Sequence, residues 1–259
     1  MQLEEKQSLV RTYYRTLSDA WGPQNWWPAA SPFEVIVGAY LTQNTAWTNV
    51  EKAMANLRSA KALSVNGIRR LSLTELERLI RPSGYFRQKA QRLKIFVDFL
   101  DRKYGSSLAK LFARPTALLR EELLALNGVG PETADAILLY SGNHPVFVVD
   151  AYTRRILARH EILPAETPYE DVRRLVEEAL APLAEIVQKP GILSSAPSAS
   201  AVPPAPHPPT IMSASNRTAL PQIYNEMHGL IVGVGKGFCR KSQPLCDGCP
   251  LQPFLPRLK

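Results

Sequence analysis

The stretch LLALNGVGPETADAILLY, residues 123–140, decides how the rest of the chain is read. A helical apolar pattern ends at Leu126, a Gly-Val-Gly turn follows, and a second helix is expected to start at Pro131. Gly128 and Gly130 permit a tight turn and a close backbone approach by a partner. Pro131 suits the first turn of a helix, where its missing N–H costs nothing. The backbone of Gly128, Val129 and Gly130, with that of Glu132 and Thr133 after them, then makes a candidate anion site. An ordinary helix–turn–helix corner would account for the same residues.

Outward from this turn almost every periodic segment reads as helix. Apolar spacing predicts helices from Pro32 to Leu57 with a break before Ala46, and over Leu73–Ile80 with Thr74 as its N-cap. Others are expected over Lys89–Tyr104, Thr116–Leu126, Glu132–Tyr140, Ala151–His160, Tyr169–Val187 and Leu220–Val232. One strand-like run, Val146–Val149, is too short and solitary to found a sheet. The expected fold class is therefore all-α. Residues 188–216, dense in Pro, Ala and Ser, have little to bury and read as a disordered or polyproline-II insertion between two helices.

The 259 residues are 45% hydrophobic, enough for one large domain or two small ones. A formal charge of +8 favours a polyanionic partner such as DNA, whose backbone phosphate would fill the anion site. The polar start, MQLEEKQSLV, does not read as a signal peptide, and no apolar run approaches the ~18 residues of a membrane span. The cytoplasm is the expected compartment, and no membrane partner is expected. Cys239, Cys246 and Cys249 cluster near the end of the chain, which suits metal ligation better than disulfides. IVGVGKGF, residues 231–238, lacks the spacing of a phosphate-binding loop and reads as a helix end.

The hairpin, an aspartate in PVFVVDAYTRRIL some twenty residues later and the cysteine cluster together resemble the endonuclease III-like helix-hairpin-helix (HhH-GPD) superfamily of DNA glycosylases. The resemblance runs from SPFEVIVGAYLTQNT to CRKSQPLCDGC, and WWP, LTQNTAW and IRPSGYFRQKAQRL bring it closest to the 3-methyladenine branch. It implies a six-helix lobe over 33–149 holding the hairpin at 123–140. A second lobe is implied from 1–32 and 150–259 with a cysteine loop at 239–249, and DNA would lie between the two. A monomer that binds duplex DNA and hydrolyses the glycosidic bond of a flipped, damaged base is expected.

The same resemblance implies site residues. Asp150 is the expected catalytic carboxylate, stabilising positive charge on the sugar or orienting water, and it also suits an N-cap. Where bifunctional relatives carry a Schiff-base lysine, this chain has Glu132, which implies a water-using enzyme without lyase chemistry. Trp26, Trp27, Pro28 and Trp47 would enclose the base, since electron-rich rings suit a cationic alkylated purine. Such a base leaves readily, and acids and histidines look sparse near these motifs. Gln43 would fill the gap left in the duplex. From the sequence alone, Lys89 and Arg92 in RQKAQRL read equally as phosphate contacts or as a solvated helix face.

Cys239, Cys246 and Cys249 match three ligands of a [4Fe–4S] cluster, but Leu255 stands where the fourth is expected. Water or Asp247 could complete such a cluster, and zinc or no metal remain open. Alternatives to the leading function are a glycosylase for mismatched or oxidised pyrimidines and a non-catalytic DNA-binding module.

Overall fold

A computed structural model describes residues 1–187 and 207–256, so most of the expected insertion lies outside the described residues. In chain order the helices are α1 Leu3–Trp21, α2 Pro32–Thr42, α3 Trp47–Ser59, α4 Val65–Arg70, α5 Leu73–Ile80 and α6 Phe86–Tyr104. They continue with α7 Leu108–Phe112, α8 Thr116–Leu124, α9 Pro131–Ala136, α10 Ala151–Arg159, α11 Tyr169–Val187 and α12 Ala219–Gly237. The fold is all-α, and no strand occurs among the described residues. No helix among them is long and apolar enough to cross a membrane. The chain divides into two compact units, Ala29–His144 and the combination of Met1–Pro28 with Pro145–Lys259.

In the unit 29–144, α2 is buried on every side from Phe33 through Leu41, and its one charge, Glu34, is paired with Arg58. Ser31 caps it by accepting from the Glu34 amide, with Pro32 in the first turn. Helices α3, α6 and α9 pack around it. The short helices α4 and α7 add two segments that apolar periodicity is too brief to reveal. Helix α5 is capped by Ser72 rather than Thr74. Ser72 accepts from the Glu75 amide while Glu75 reaches back to the Ser72 amide, a reciprocal box that Thr74 is too late to form.

The hairpin joins α8 to α9, which runs on through a π-helical turn, Ile137–Ser141. Its two helices are tied by a buried bidentate pair: Arg120 donates Nε to Asp135 Oδ1 at 2.6 Å and Nη2 to Oδ2 at 3.1 Å. Asp135 is fully buried, so the fork geometry of arginine is what makes its charge tolerable there.

In the unit formed by the termini, α12 packs against α10, α11 and α1. The strand-like run Val146–Val149 belongs to this unit and is buried, without forming a strand. It finds side-chain partners in α11 instead of a sheet: the Phe147 amide donates to Glu177 Oε1 at 2.8 Å and the Val149 amide to the Tyr169 hydroxyl at 3.2 Å. The last part of the expected disordered stretch, 207–216, is a turn in which Thr210 and Ser213 bond each other, with Met212 buried. It is also tied to the rest of the unit by Asn25, which donates to the His207 carbonyl at 3.0 Å, and by Arg217, which donates to the Met212 carbonyl at 2.7 Å.

Two glycines of α12, Gly235 within IVGVGKGF and Gly229 just before it, serve helix packing. A Cβ on Gly235 would lie 2.1 Å from the Tyr152 ring of α10, and one on Gly229 would lie 3.0 Å from Cβ of Gln24 and of Trp26. Gly235→Ala should therefore destabilise the protein by more than about 2 kcal/mol, because an aromatic ring must move out of a packed contact. Thermal unfolding checks this, and an unchanged Tm would mean that the contact relaxes freely.

Candidate functional site

Asp150 stands at the N-cap of α10. Its Oδ1 accepts from the Thr153 amide at 2.8 Å and the Thr153 hydroxyl at 3.0 Å. Its Oδ2 lies 3.6 Å from Nε2 of His228, on α12. Both side chains are nearly buried, at 13% and 5% exposure. Burial opposes ionisation of the carboxyl, but the His228 contact and the two Thr153 donors outweigh it and hold the pKa below the usual value. Capping and catalytic roles are thus compatible, because the cap uses one carboxylate oxygen and leaves the other.

Trp26 adjoins the same histidine, with ring centroids 5.9 Å apart. Trp27 meets Trp26 edge-on at 5.7 Å and is itself buried, so it supports Trp26 more than it offers a face of its own. Pro28 follows half-buried. The Lys236 ammonium sits over the Trp26 ring at 5.9 Å, and His207 lies 5.7 Å from it. The expectation of few histidines near these motifs is thereby corrected. His207 and His228 are remote in sequence from WWP, and chain folding through the glycine-bearing face of α12 brings His228 in.

The unit 29–144 gathers a second group of expected residues. Gln43 donates Nε2 to the Gly128 carbonyl at 2.9 Å and to Thr133 Oγ1 at 3.0 Å, and its Oε1 accepts from Arg92 at 2.6 Å. The amide expected to enter DNA is here bound to the hairpin. Gly128 has a φ of +77°, and a Cβ there would lie 1.9 Å from Arg92 Nε. Gly130 has open space where a side chain would stand, which leaves the backbone approachable. Val129 is corrected as an anion contact: its side chain is buried and its amide closes the turn onto the Leu126 carbonyl at 3.1 Å. Glu132 opens the first turn of α9. Trp47 is the first residue of α3 and donates its indole N–H to Glu51 at 3.0 Å.

Lys89 is also corrected. It is 1% exposed, and its ammonium donates to the Leu41 carbonyl at 2.8 Å and to Thr45 Oγ1 and the Ser83 carbonyl at 2.7 Å. All three protons are spent inside the protein, so phosphate has no access. Burial, with repulsion from Arg92, lowers its pKa to about 8. Sequence reasoning passed over Tyr85, 67% exposed in a left-handed conformation at the start of α6, beside Phe86 flanked by Arg81 and Arg87. An aromatic where a polar cap is usual was the available signal.

The cysteine loop is held by arginines. Arg155 Nε donates to the Cys239 carbonyl at 2.7 Å, and Arg159 donates to the carbonyls of Arg240 at 2.6 Å and Lys241 at 2.9 Å. Arg159 also lies 3.3 Å from Cys239 Sγ. Burial, with the neighbouring thiols of Cys246 and Cys239, raises the Cys249 pKa in the metal-free loop. Among the described residues no three Cys, His, Asp or Glu side chains are gathered as a metal site. Leu255 offers no fourth thiol, so the loop as folded does not fit a four-iron cluster. Arg159→Ala should lower Tm by several degrees, whereas EDTA should leave it unchanged. A chelator-induced loss of Tm, or iron with acid-labile sulfide in freshly purified protein, would overturn this account.

Residues 37–182 match the model of the HhH-GPD superfamily base excision DNA repair proteins. A putative DNA repair glycosylase of Methanocaldococcus jannaschii, MJ1434, is 38% identical over 97% of each chain. Endonuclease III of Thermotoga maritima is 29% identical over 85% of this chain and 81% of its own. The Helicobacter pylori 3-methyladenine DNA glycosylase MagIII, solved with 1,N6-ethenoadenine, superposes with a TM-score of 0.67 and 26% identity, covering 91% of this chain and 98% of that one. The chain belongs to the HhH-GPD superfamily, and it is a DNA repair glycosylase of that family.

Proposed function

We propose that this protein is a monofunctional glycosylase that binds damaged duplex DNA, flips the lesion out and releases an alkylated purine such as 3-methyladenine by hydrolysis. The observation that carries the reading is Asp150, held ionised at the start of α10 with Oδ2 left over from the cap, one histidine away from Trp26. A carboxylate so placed stabilises the cationic sugar as the C–N bond breaks and its electron pair leaves with the base. The attacking water bonds to the anomeric carbon and gives its proton to the carboxylate. At position 132 a glutamate cannot form the imine that strand cleavage by relatives requires. The hairpin backbone around Gly130 would hold a phosphate, and Tyr85 is placed to stack on bases. Similarity to MagIII supports the purine class.

Lys236 favours a second reading. A cation already lies over the Trp26 ring, so a cationic base would compete with it, whereas a neutral pyrimidine would find donors in Lys236 and His228.

Asp150→Asn keeps the capping oxygen and removes the charge, so base release should fall at least about 100-fold while duplex affinity is unchanged. A mutant of full activity would remove Asp150 from the mechanism. Chromatography of bases freed from methylated duplexes, alongside deaminated and oxidised ones, separates the two substrate classes. Release of 3-methyladenine with intact abasic strands is the expected result, and release of pyrimidines alone would establish the second reading.

A further inference from the structure

Every known constraint on Asp150 from its own helix acts on one oxygen. The Thr153 amide and hydroxyl fix Oδ1, which leaves the direction and charge of Oδ2 to whatever faces it. What faces it is the imidazole of His228, 3.6 Å away. That ring cannot swing aside. Trp26 lies against it at 5.9 Å with planes at 57°, and Phe147 closes edge-on at 6.2 Å and 73°. The backbone beneath it is fixed as well, since Gly229 sits under Trp26 and Gly235 under Tyr152.

We infer that His228 is the positioning residue for the reaction: from α12 it sets where Oδ2 of Asp150 points and gives that oxygen its donor. The inference rests on the glycosylase reading above. A histidine serving only to fill space would need no nitrogen toward the carboxylate, and a phenylalanine would pack as well between Trp26 and Phe147. The other titratable and charged groups around the pair are Tyr152 and Arg155 of α10, Tyr169 and Glu177 of α11, and Lys236 and His207 beside Trp26. Burial with the negative Asp150 nearby raises the Tyr152 pKa, so the phenol stays neutral and His228 is the group of this set that contacts Oδ2 in its ionisable form.

The test compares His228→Phe and His228→Gln with the wild type in single-turnover base release across pH, together with an unfolding cycle. Without the imidazole the carboxylate loses the partner that favours its charge, so the acid limb of the pH–rate profile should move to higher pH in both variants. His228→Phe should lose roughly tenfold or more in rate with unchanged DNA affinity. His228→Gln, which keeps a side-chain donor but is neutral at every pH, should recover most of that rate. In urea unfolding, the losses from His228→Gln and Asp150→Asn should be non-additive in the double variant. Should His228→Phe fail to fold, the glutamine variant carries both readouts alone. A wild-type rate and acid limb in the variants would overturn the positioning role, and additive unfolding losses would overturn the pairing itself. Wild-type protein that releases no base from any substrate would instead count against the glycosylase reading, while the unfolding cycle still decides the pairing.

Discussion

Helix α12 reaches α10 at ring-to-backbone distance because residue 235 has no side chain to hold them apart, and the site in the terminal unit depends on that approach. With Tyr152 seated on Gly235, the N-terminus of α10 lies opposite the middle of α12, and His228 comes within 3.6 Å of Asp150. Gly229 does the same for the WWP segment and lets Trp26 settle against the same histidine. The arrangement concentrates polar groups in a setting with little water. There a carboxylate survives ionised only with favourable partners, and Thr153 supplies two donors while the His228 imidazole faces the other oxygen at 3.6 Å.

The unit 29–144 is organised by a buried cation. Lys89 lies under the C-terminal end of α2, where helix carbonyls have no partners of their own, and it binds Leu41, Thr45 and Ser83 together. This fixes the LTQNT corner, from which Gln43 reaches the hairpin at Gly128 and Thr133. The hairpin is braced again by Arg120 on Asp135. The hairpin is thus held from behind by charged groups, and space around Gly130 stays open.

The net charge of +8 gives a misleading picture of where the positive groups act. Lys89, Arg92, Arg120, Arg155 and Arg159 each donate to other groups of the protein: carbonyls, an amide oxygen or a carboxylate. Arginine suits this work because its planar fork can serve several acceptors and cannot lose its proton. Arg155 and Arg159 together hold the cysteine loop through its backbone carbonyls.

Helical periodicity, the Gly-Val-Gly turn and the N-cap spacing of Asp150 are local, and each was legible in the sequence because backbone sterics and hydrogen-bond distances act over a few residues. The same held for α5 and α11, whose expected bounds are those observed. Which cation faces outward was not legible. Lys89 and Arg92 sit in a segment that reads as a solvated basic face, and only the packing of α6 on α2 sends Lys89 inward. His228 was invisible for a related reason. Nothing in NEMHGL marks a partner for an aspartate far earlier in the chain, and the pairing follows from two glycines that lower α12 onto α10 and Trp26. The sequence by itself determined a helical glycosylase with its hairpin and its carboxylate. The tertiary structure alone decided which side chains surround that carboxylate and which charges are spent inside, because burial and through-space contact depend on how helices cross.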